Sequence, residues 1–423
     1  MRDRTAYPPG MTALRLSIVT VIAVALGFVA PPLASSAAEP AYIAVIDAGS
    51  NSTRLSLYAA GSEVTVTRVY RSPASTPGLS SFAADTAAAG PGAVQPLLDG
   101  LREHLGGEGV AVADVPVALL ATAGMRRVKL DDPVAAREIL ASTRATLAAS
   151  GFPLHANRIL PDTQEGLLAW LDANANAGTL DAPGKDIGIV EVGGASAQVA
   201  FRSPRTSGPG VSTVRVNGRD LHAVAVSYLG LGNNESRALM QRKTSGGGSC
   251  FPNNASGMDP VDYLSTSSMP VNSAQASYRG STCGRAYADV INEVGRTYPR
   301  EVRPRNLRNL AGFTGAHFIG LGTPRFVYSD FAIPTDANDR RALQIALRTT
   351  CKGDDAWLRV QALFPAGSQS FAETQCSSGA YLNQLFFGPT GIRLDPSRFD
   401  ARAMLPGGDP SWPAGYAITA LHP

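Results

Sequence analysis

The sequence predicts an α/β protein built from a duplicated lobe, with a cleft between the two copies. Strand-like apolar runs alternate with helix-like segments along the chain, the pattern of an α/β domain rather than of separate helical and sheet blocks. A strand, an acid, a glycine turn and a return strand occur at Asp47-Ala48-Gly49-Ser50 and again at Glu191-Val192-Gly193-Gly194, 144 residues apart. Length allows this: 423 residues, 44% of them hydrophobic and 17% charged, suffice for two or three cores and exclude a chain disordered throughout.

The elements follow in order. Arg2, Arg4 and Arg15 precede the uncharged run Leu16 to Ala30, and the small residues Ala34 to Ala38 follow it. That is the layout of a secretory signal peptide cleaved near Ala38. The run is shorter than the roughly 20 residues of a membrane span. Ala41 to Ile46 reads as a strand, Asp47 to Ser52 as a turn, and Leu55, Leu57 and Val64 to Val66 as returning strands. Ala87 to Leu105 is helix-rich but broken by Gly and Pro, Val115 to Ala121 is a buried strand, and Pro133 to Ala149 is helical. Gln164 to Asn174 opens a helix; Ile187 to Val192 is a second buried strand, with its return arm at Gln198 to Phe201. Residues 243–285, rich in Ser, Gly and Asn, read as a loop insertion.

Charge and cysteine usage narrow the function. Of a net charge of +3, the leader holds three Arg against one Asp, so +1 remains on the mature chain. Nucleic-acid binders carry a stronger basic excess, and none is expected as a partner. The four cysteines are Cys250, Cys283, Cys351 and Cys376. Four allow three pairings; sequence proximity favours Cys250–Cys283 and Cys351–Cys376, bonded in a periplasmic or extracellular setting. There is no C-x-x-C, and His104, His155, His222, His317 and His422 lack metal spacing. There is no G-x-x-x-x-G-K-[ST] loop, which argues against the P-loop class.

The paired turns suggest phosphate chemistry. Glycine after a strand lets the backbone approach a phosphate, and successive amides form an anion nest. Gly49, Ser50, Asn51 and Ser52 make one candidate; Gly193, Gly194, Ala195 and Ser196 make the other. Asp47 and Glu191, at the strand ends, suit a divalent cation held largely through its waters. Glu165, at a helix start after Pro161-Asp162-Thr163-Gln164, stands where a carboxylate can take a proton from attacking water. Ser50 and Ser196 lack a His/Asp arrangement for nucleophilic work.

Several segments, taken in order, resemble a known family. They are Ile46 to Thr53 (IDAGSNST), Pro77 to Phe82 (PGLSSF), Ala121 to Arg126 (ATAGMR), Gln164 to Asn174 (QEGLLAWLDAN), Val192 to Gln198 (VGGASAQ), Tyr228 to Ser236 (YLGLGNNES), Cys376 to Leu385 (CSSGAYLNQL) and Ser411 to Ala417 (SWPAGYA). The chain resembles the ectonucleoside triphosphate diphosphohydrolases, or apyrases. The resemblance implies two RNase H-like lobes of the actin/hexokinase/heat-shock ATPase superfamily around an interlobe cleft. It places residues 39–160 plus about 395–423 in the N-terminal lobe and 161–394 in the C-terminal lobe. It implies an exported, monomeric enzyme that uses Mg²⁺ or Ca²⁺ to hydrolyse nucleoside tri- and diphosphates. Glu165 would be the general base, with Ser196 and Gln198 holding the water. Gly49 to Ser52 and Gly194 to Ser196 would bind phosphate. Asp47, Glu191 and Thr122 would hold the metal's waters, Tyr328 or Tyr381 would stack on the base, and Arg126 and Trp170 would be structural supports. The chain departs from the family pattern at Glu191 (usually Asp), Ser52 (usually His) and Ala197 (usually Thr). Alternatives are an exopolyphosphatase or guanosine-pentaphosphatase, because Arg54 follows the first loop, and a nucleotide-binding protein without catalysis.

Overall fold

Two six-stranded sheets organise the computed structural model, which describes residues 41–61, 63–73, 76–244, 247–253, 262–263, 266–267, 276–297, 303–334, 339–365, 371–402 and 405–423. The expected signal peptide and the middle of the Ser/Gly/Asn-rich stretch lie outside the described residues.

The first sheet holds β1 (Tyr42–Ala48), β2 (Ser52–Ala60), β3 (Val66–Arg71), β4 (Thr76–Pro77), β5 (Val117–Ala121) and β6 (Leu154–Ile159) in the order β3-β2-β1-β5-β6, with β4 on β2. Its helices are α1 (Gln95–Glu108), α2 (Ala123–Asp131) and α3 (Pro133–Ala149). Asp132 starts α3 by accepting from the amides of Val134 and Ala135, and Pro133 follows where a missing N–H does no harm.

After α4 (Asp162–Asn176) come β7 (Ile187–Val192), β8 (Ser196–Arg202), β9 (Val211–Val216), β10 (Arg219–Leu229) and α5 (Asn233–Lys243). The two-residue strands β11 (Asp262–Tyr263) and β12 (Thr266–Ser267) form a small hairpin before α6 (Gly280–Thr297). Then follow β13 (His317–Gly322), α7 (Thr323–Asp330), α8 (Asp339–Cys351), α9 (Ala356–Gln361), α10 (Ala372–Phe387), β14 (Phe399–Asp400) and α11 (Trp412–Leu421). The second sheet runs β14-β13-β7-β8-β10-β9.

The duplication read from the turns extends to pairing. β1 lies antiparallel to β2 and parallel to β5; β7 lies antiparallel to β8 and parallel to β13. Two details depart from expectation. Residues 280–285 belong to α6 rather than to a loop, because Tyr287, Val290, Ile291 and Val294 continue an apolar face that buries against the second sheet's helices. The chain also stays with the second sheet beyond residue 395, since β14 pairs with β13 at Phe399 and Asp400.

Three apolar layers result. One lies between the first sheet and α1 to α3, and another between the second sheet and α5 to α10. The middle layer joins the sheets through α4 and α11 and includes Trp170, Leu171, Trp412 and Ile418. Strand periodicity then positions the acids. In β1, Ala44, Ile46 and Ala48 face the outer layer while Ile43 and Val45 face the middle one, so Asp47 turns toward the middle. In β7, Val190 and Val192 face outward and Ile189 faces the middle, as does Glu191 by the same alternation.

Both favoured cysteine pairings are present. Cys250–Cys283 ties the turn Gly248–Cys250 to α6, and Cys351–Cys376 ties the end of α8 to α10. All four cysteines are buried. Among the described residues, no helix is long and apolar enough to cross a membrane.

Candidate active site

The two glycine turns close in the same way. Gly49 N–H donates to the Ser52 carbonyl and Gly193 N–H to the Ser196 carbonyl, each at 3.0 Å. They also meet. A Cβ placed on Gly194 would lie 2.5 Å from Asn51 Oδ1 and 2.7 Å from Ser50 Oγ. The glycines of the neighbouring motifs allow this approach: a Cβ on Gly124 would lie 2.9 Å from Ser50 Cα, and one on Gly232 would lie 2.3 Å from the Ala195 nitrogen. No side chain fits at either point. Ser50 Oγ donates to Asn51 Oδ1 at 3.1 Å. Ala195 packs with Ala123 and Leu229 beneath the turns.

Behind them lies a buried polar cluster. Glu165, in the first turn of α4, is 7% exposed. Its Oε2 accepts from Arg126 Nη2 at 3.0 Å and from Gln198 Nε2 at 3.1 Å. Arg126 also donates to Ser196 Oγ at 3.2 Å and to Ser227 Oγ at 3.1 Å. Gln198 Nε2 donates to Ser196 Oγ as well, so both acceptor sites of that hydroxyl are taken and its proton is free for a further acceptor. Gln198 Oε1 is buried and carries no hydrogen bond among the described residues. Burial pushes the Glu165 carboxyl upward, and the Arg126 charge opposes the shift.

Asp47 and Glu191 border this cluster. Burial and the Glu165 charge push Asp47 up to about 7, against the pull of Arg54 and Arg71. Burial, followed by the charges of Glu165 and Asp47, pushes Glu191 well above the carboxylate range. Glu191 Oε2 is buried with no hydrogen-bond partner among the described residues. Register places Glu191 beside Gln198. Thr122 precedes α2, and its N–H donates to the Ala48 carbonyl at 3.2 Å, beside the end of β1. Among the described residues no three His, Cys, Asp or Glu converge as a metal cage. Two crowded carboxylates with an unsatisfied oxygen fit a hydrated divalent ion, which needs few protein ligands.

The structure thus brings together Glu165, Ser196, Gln198, Asp47, Glu191 and the paired turns. It does not bring the two tyrosines to the cleft. Tyr328 and Tyr381 are each 0% exposed. The Tyr381 hydroxyl donates to the Leu231 carbonyl, and its ring packs on Tyr287. Tyr328 packs on Phe399 with its hydroxyl toward the Asp339 carbonyl. Both are core residues that offer no ring face to a base. Trp170, also 0% exposed, is a support as expected. Arg126 is more than that, since it binds the candidate base directly. Ser227 was not singled out from the sequence, although a serine inside the apolar run Ala223 to Leu229 is the kind of buried polar residue that needs a partner.

A buried carboxylate, two crowded acids and two facing glycine turns form an arrangement whose chemistry suits phosphoryl transfer. Residues 34–422 match the GDA1/CD39 (nucleoside phosphatase) family, and the chain belongs to that family. It is 27% identical over 396 residues to the probable apyrase 5 of Arabidopsis thaliana, covering 84% of this chain and 77% of that one. It is 32% identical over 216 residues to a guanosine-diphosphatase of Schizosaccharomyces pombe, covering 48% of this chain and 38% of that one. The fold is similar to a nucleoside triphosphate hydrolase structure from Neospora caninum, with a TM-score of 0.53 and 16% identity over 90% of this chain and 92% of that one. That likeness shows the fold, an α/β architecture built on two sheets.

Proposed function

We propose that the protein hydrolyses the terminal phosphoanhydride of nucleoside tri- and diphosphates, by in-line attack of water with a divalent cation bound. The observation that carries this reading is the Glu165 carboxylate, buried behind the paired turns and, among the described residues, held through Oε2 alone by Arg126 and Gln198. Oε1 is then the oxygen left to take the proton of the attacking water. Ser196 Oγ–H and Gln198 Oε1 orient that water as donor and acceptor, which fixes the angle of attack. The amides of Ser50 to Ser52, in the turn that Gly49 closes, and those of Gly194 to Ser196 surround the transferring phosphoryl group and stabilise charge as it spreads over the equatorial oxygens. Asp47 and Glu191, with Thr122 nearby, would hold Mg²⁺ or Ca²⁺, which supplies charge neutralisation on the phosphate oxygens. The leader and the two disulfides support action in an oxidising compartment outside the cytoplasm.

A second reading, hydrolysis of inorganic polyphosphate, draws on Arg54, which follows the first loop and lines a cavity beside Asp47. Phosphate release from ATP, ADP, GDP and long-chain polyphosphate, each with Mg²⁺, Ca²⁺ or EDTA, separates the two. Cation-dependent release from the nucleotides supports the first reading. Release from polyphosphate alone would replace it with the second.

A further inference from the structure

A cavity of about 170 Å³ opens between the first sheet and the start of α11. Asp47 and Glu191 line it, together with Ser52, Ser56, Ser411 and three arginines, Arg54, Arg68 and Arg71. Strand alternation explains the arginines. Residues 54, 56 and 58 share one face of β2; register sets Arg54 beside Asp47, Arg71 beside Ser56 and Arg68 beside Tyr58. That face turns toward α11, whose N-terminal turn presents the positive end of its dipole.

This cluster is electrostatically unbalanced. Among the described residues, none of the three arginines closes an ion pair. Arg71 is pushed down by partial burial and then by the charges of Arg54 and Arg68. Asp47 and Glu191 are the acids that line the cavity, and among the described residues neither closes an ion pair with an arginine of this wall. Like charges gathered on one wall of a cavity repel, and a bound oxyanion relieves that repulsion. Guanidinium forks match the geometry of phosphate oxygens.

We infer that this cavity is a second anion site, which binds a phosphate group through Arg54 and Arg71, with Arg68 at its rim. The site itself does not depend on the nucleotidase reading; the origin of its ligand does. Two sources share the chemistry: orthophosphate freed by the reaction, and the end of a phosphate chain longer than the turns accommodate.

The test is calorimetric titration of orthophosphate and of tripolyphosphate into the mature protein in EDTA, without nucleotide. Wild type is compared with R71Q and with R54Q; both residues are exposed, so neither substitution opens a core. Wild type is expected to bind, and each variant to bind at least ~10-fold more weakly, as for loss of one charge-assisted hydrogen bond. Phosphate should raise the wild-type Tm but not that of R71Q. The free R71Q protein should melt no lower than wild type, because a repulsive charge has been removed. Equal binding of the two anions assigns the site to free orthophosphate; tighter binding of tripolyphosphate, lost in both variants, assigns it to a chain end. Wild-type affinity in both variants would place the anion at the glycine turns and overturn the inference, as would no binding to wild type. Because no turnover is measured, failure here is distinct from failure of the nucleotidase reading.

Discussion

Replacing Arg126 with Gln tests how the candidate base is kept active. Arg126 is the group that lowers the Glu165 pKa against the effect of burial. The pair is shielded, with side chains 11% and 9% exposed, and Nη2 lies 3.0 Å from Oε2. A hydrogen bond to a charged group contributes about 1.5–3 kcal/mol, so its loss predicts a fall in kcat of about 10–150-fold at neutral pH. The pH dependence gives the sharper signature. A base must be ionised, and without Arg126 the Glu165 pKa rises further. The acid limb of the kcat profile therefore moves to higher pH; the deficit is largest in acid and shrinks in alkali. The assay is phosphate release from GDP across pH 5–9, with melting curves to show that the variant is folded. A deficit that is equal at every pH would refute the reasoning, for Arg126 would then act by shape alone.

Other outcomes follow from the same structure. Asp172, buried in α4, accepts from Ser411 N–H at 2.8 Å, and burial pushes it up to about 7. A raised carboxyl stabilises the fold below its ordinary pKa and loses that contribution as pH climbs through the raised value. The Tm should therefore fall between about pH 4 and 7, and D172N, which keeps an acceptor oxygen, should flatten the fall. Mg²⁺ or Ca²⁺ should stabilise the fold by relieving Asp47 and Glu191, by about 2.7 kcal/mol at a hundredfold excess over Kd, seen as a higher Tm; E191Q should lose most of that gain in differential scanning fluorimetry. Reduction of the disulfides, which close loops of 33 and 25 residues, should destabilise the fold by about 3–4 kcal/mol each, seen as a drop in the denaturation midpoint with dithiothreitol.

Much of the site was legible because it is built from local patterns. Asp47, Glu191 and the glycine turns are read from strand period and turn chemistry, and Glu165 from a helix start. The lobes follow from repetition of those patterns. What was not legible depends on contacts between distant segments. Arg126 reaches Ser227 across 101 positions, and nothing near either residue announces the other. The tyrosines misled for the opposite reason: an aromatic ring with a hydroxyl suits both a base-stacking wall and a core, and burial of Tyr381 against Tyr287 and Leu231 decides for the core. The helical start at residue 280 was hidden by Ser, Gly and Thr in its first turn, where tertiary packing of Cys283 and Tyr287 overrides weak propensity. Arg68 and Arg71 were not singled out from the sequence, because their place beside β2 is set by strand register.

The central claim is that water, deprotonated by Glu165, attacks the terminal phosphorus of a nucleotide. Hydrolysis of GDP in ¹⁸O-labelled water, by wild type and by E165Q, tests it most directly. The predicted result is label in the released phosphate and none in the GMP, with E165Q at least ~10²-fold slower yet still binding GDP. Label in the nucleotide, or near-normal turnover by E165Q, would contradict it.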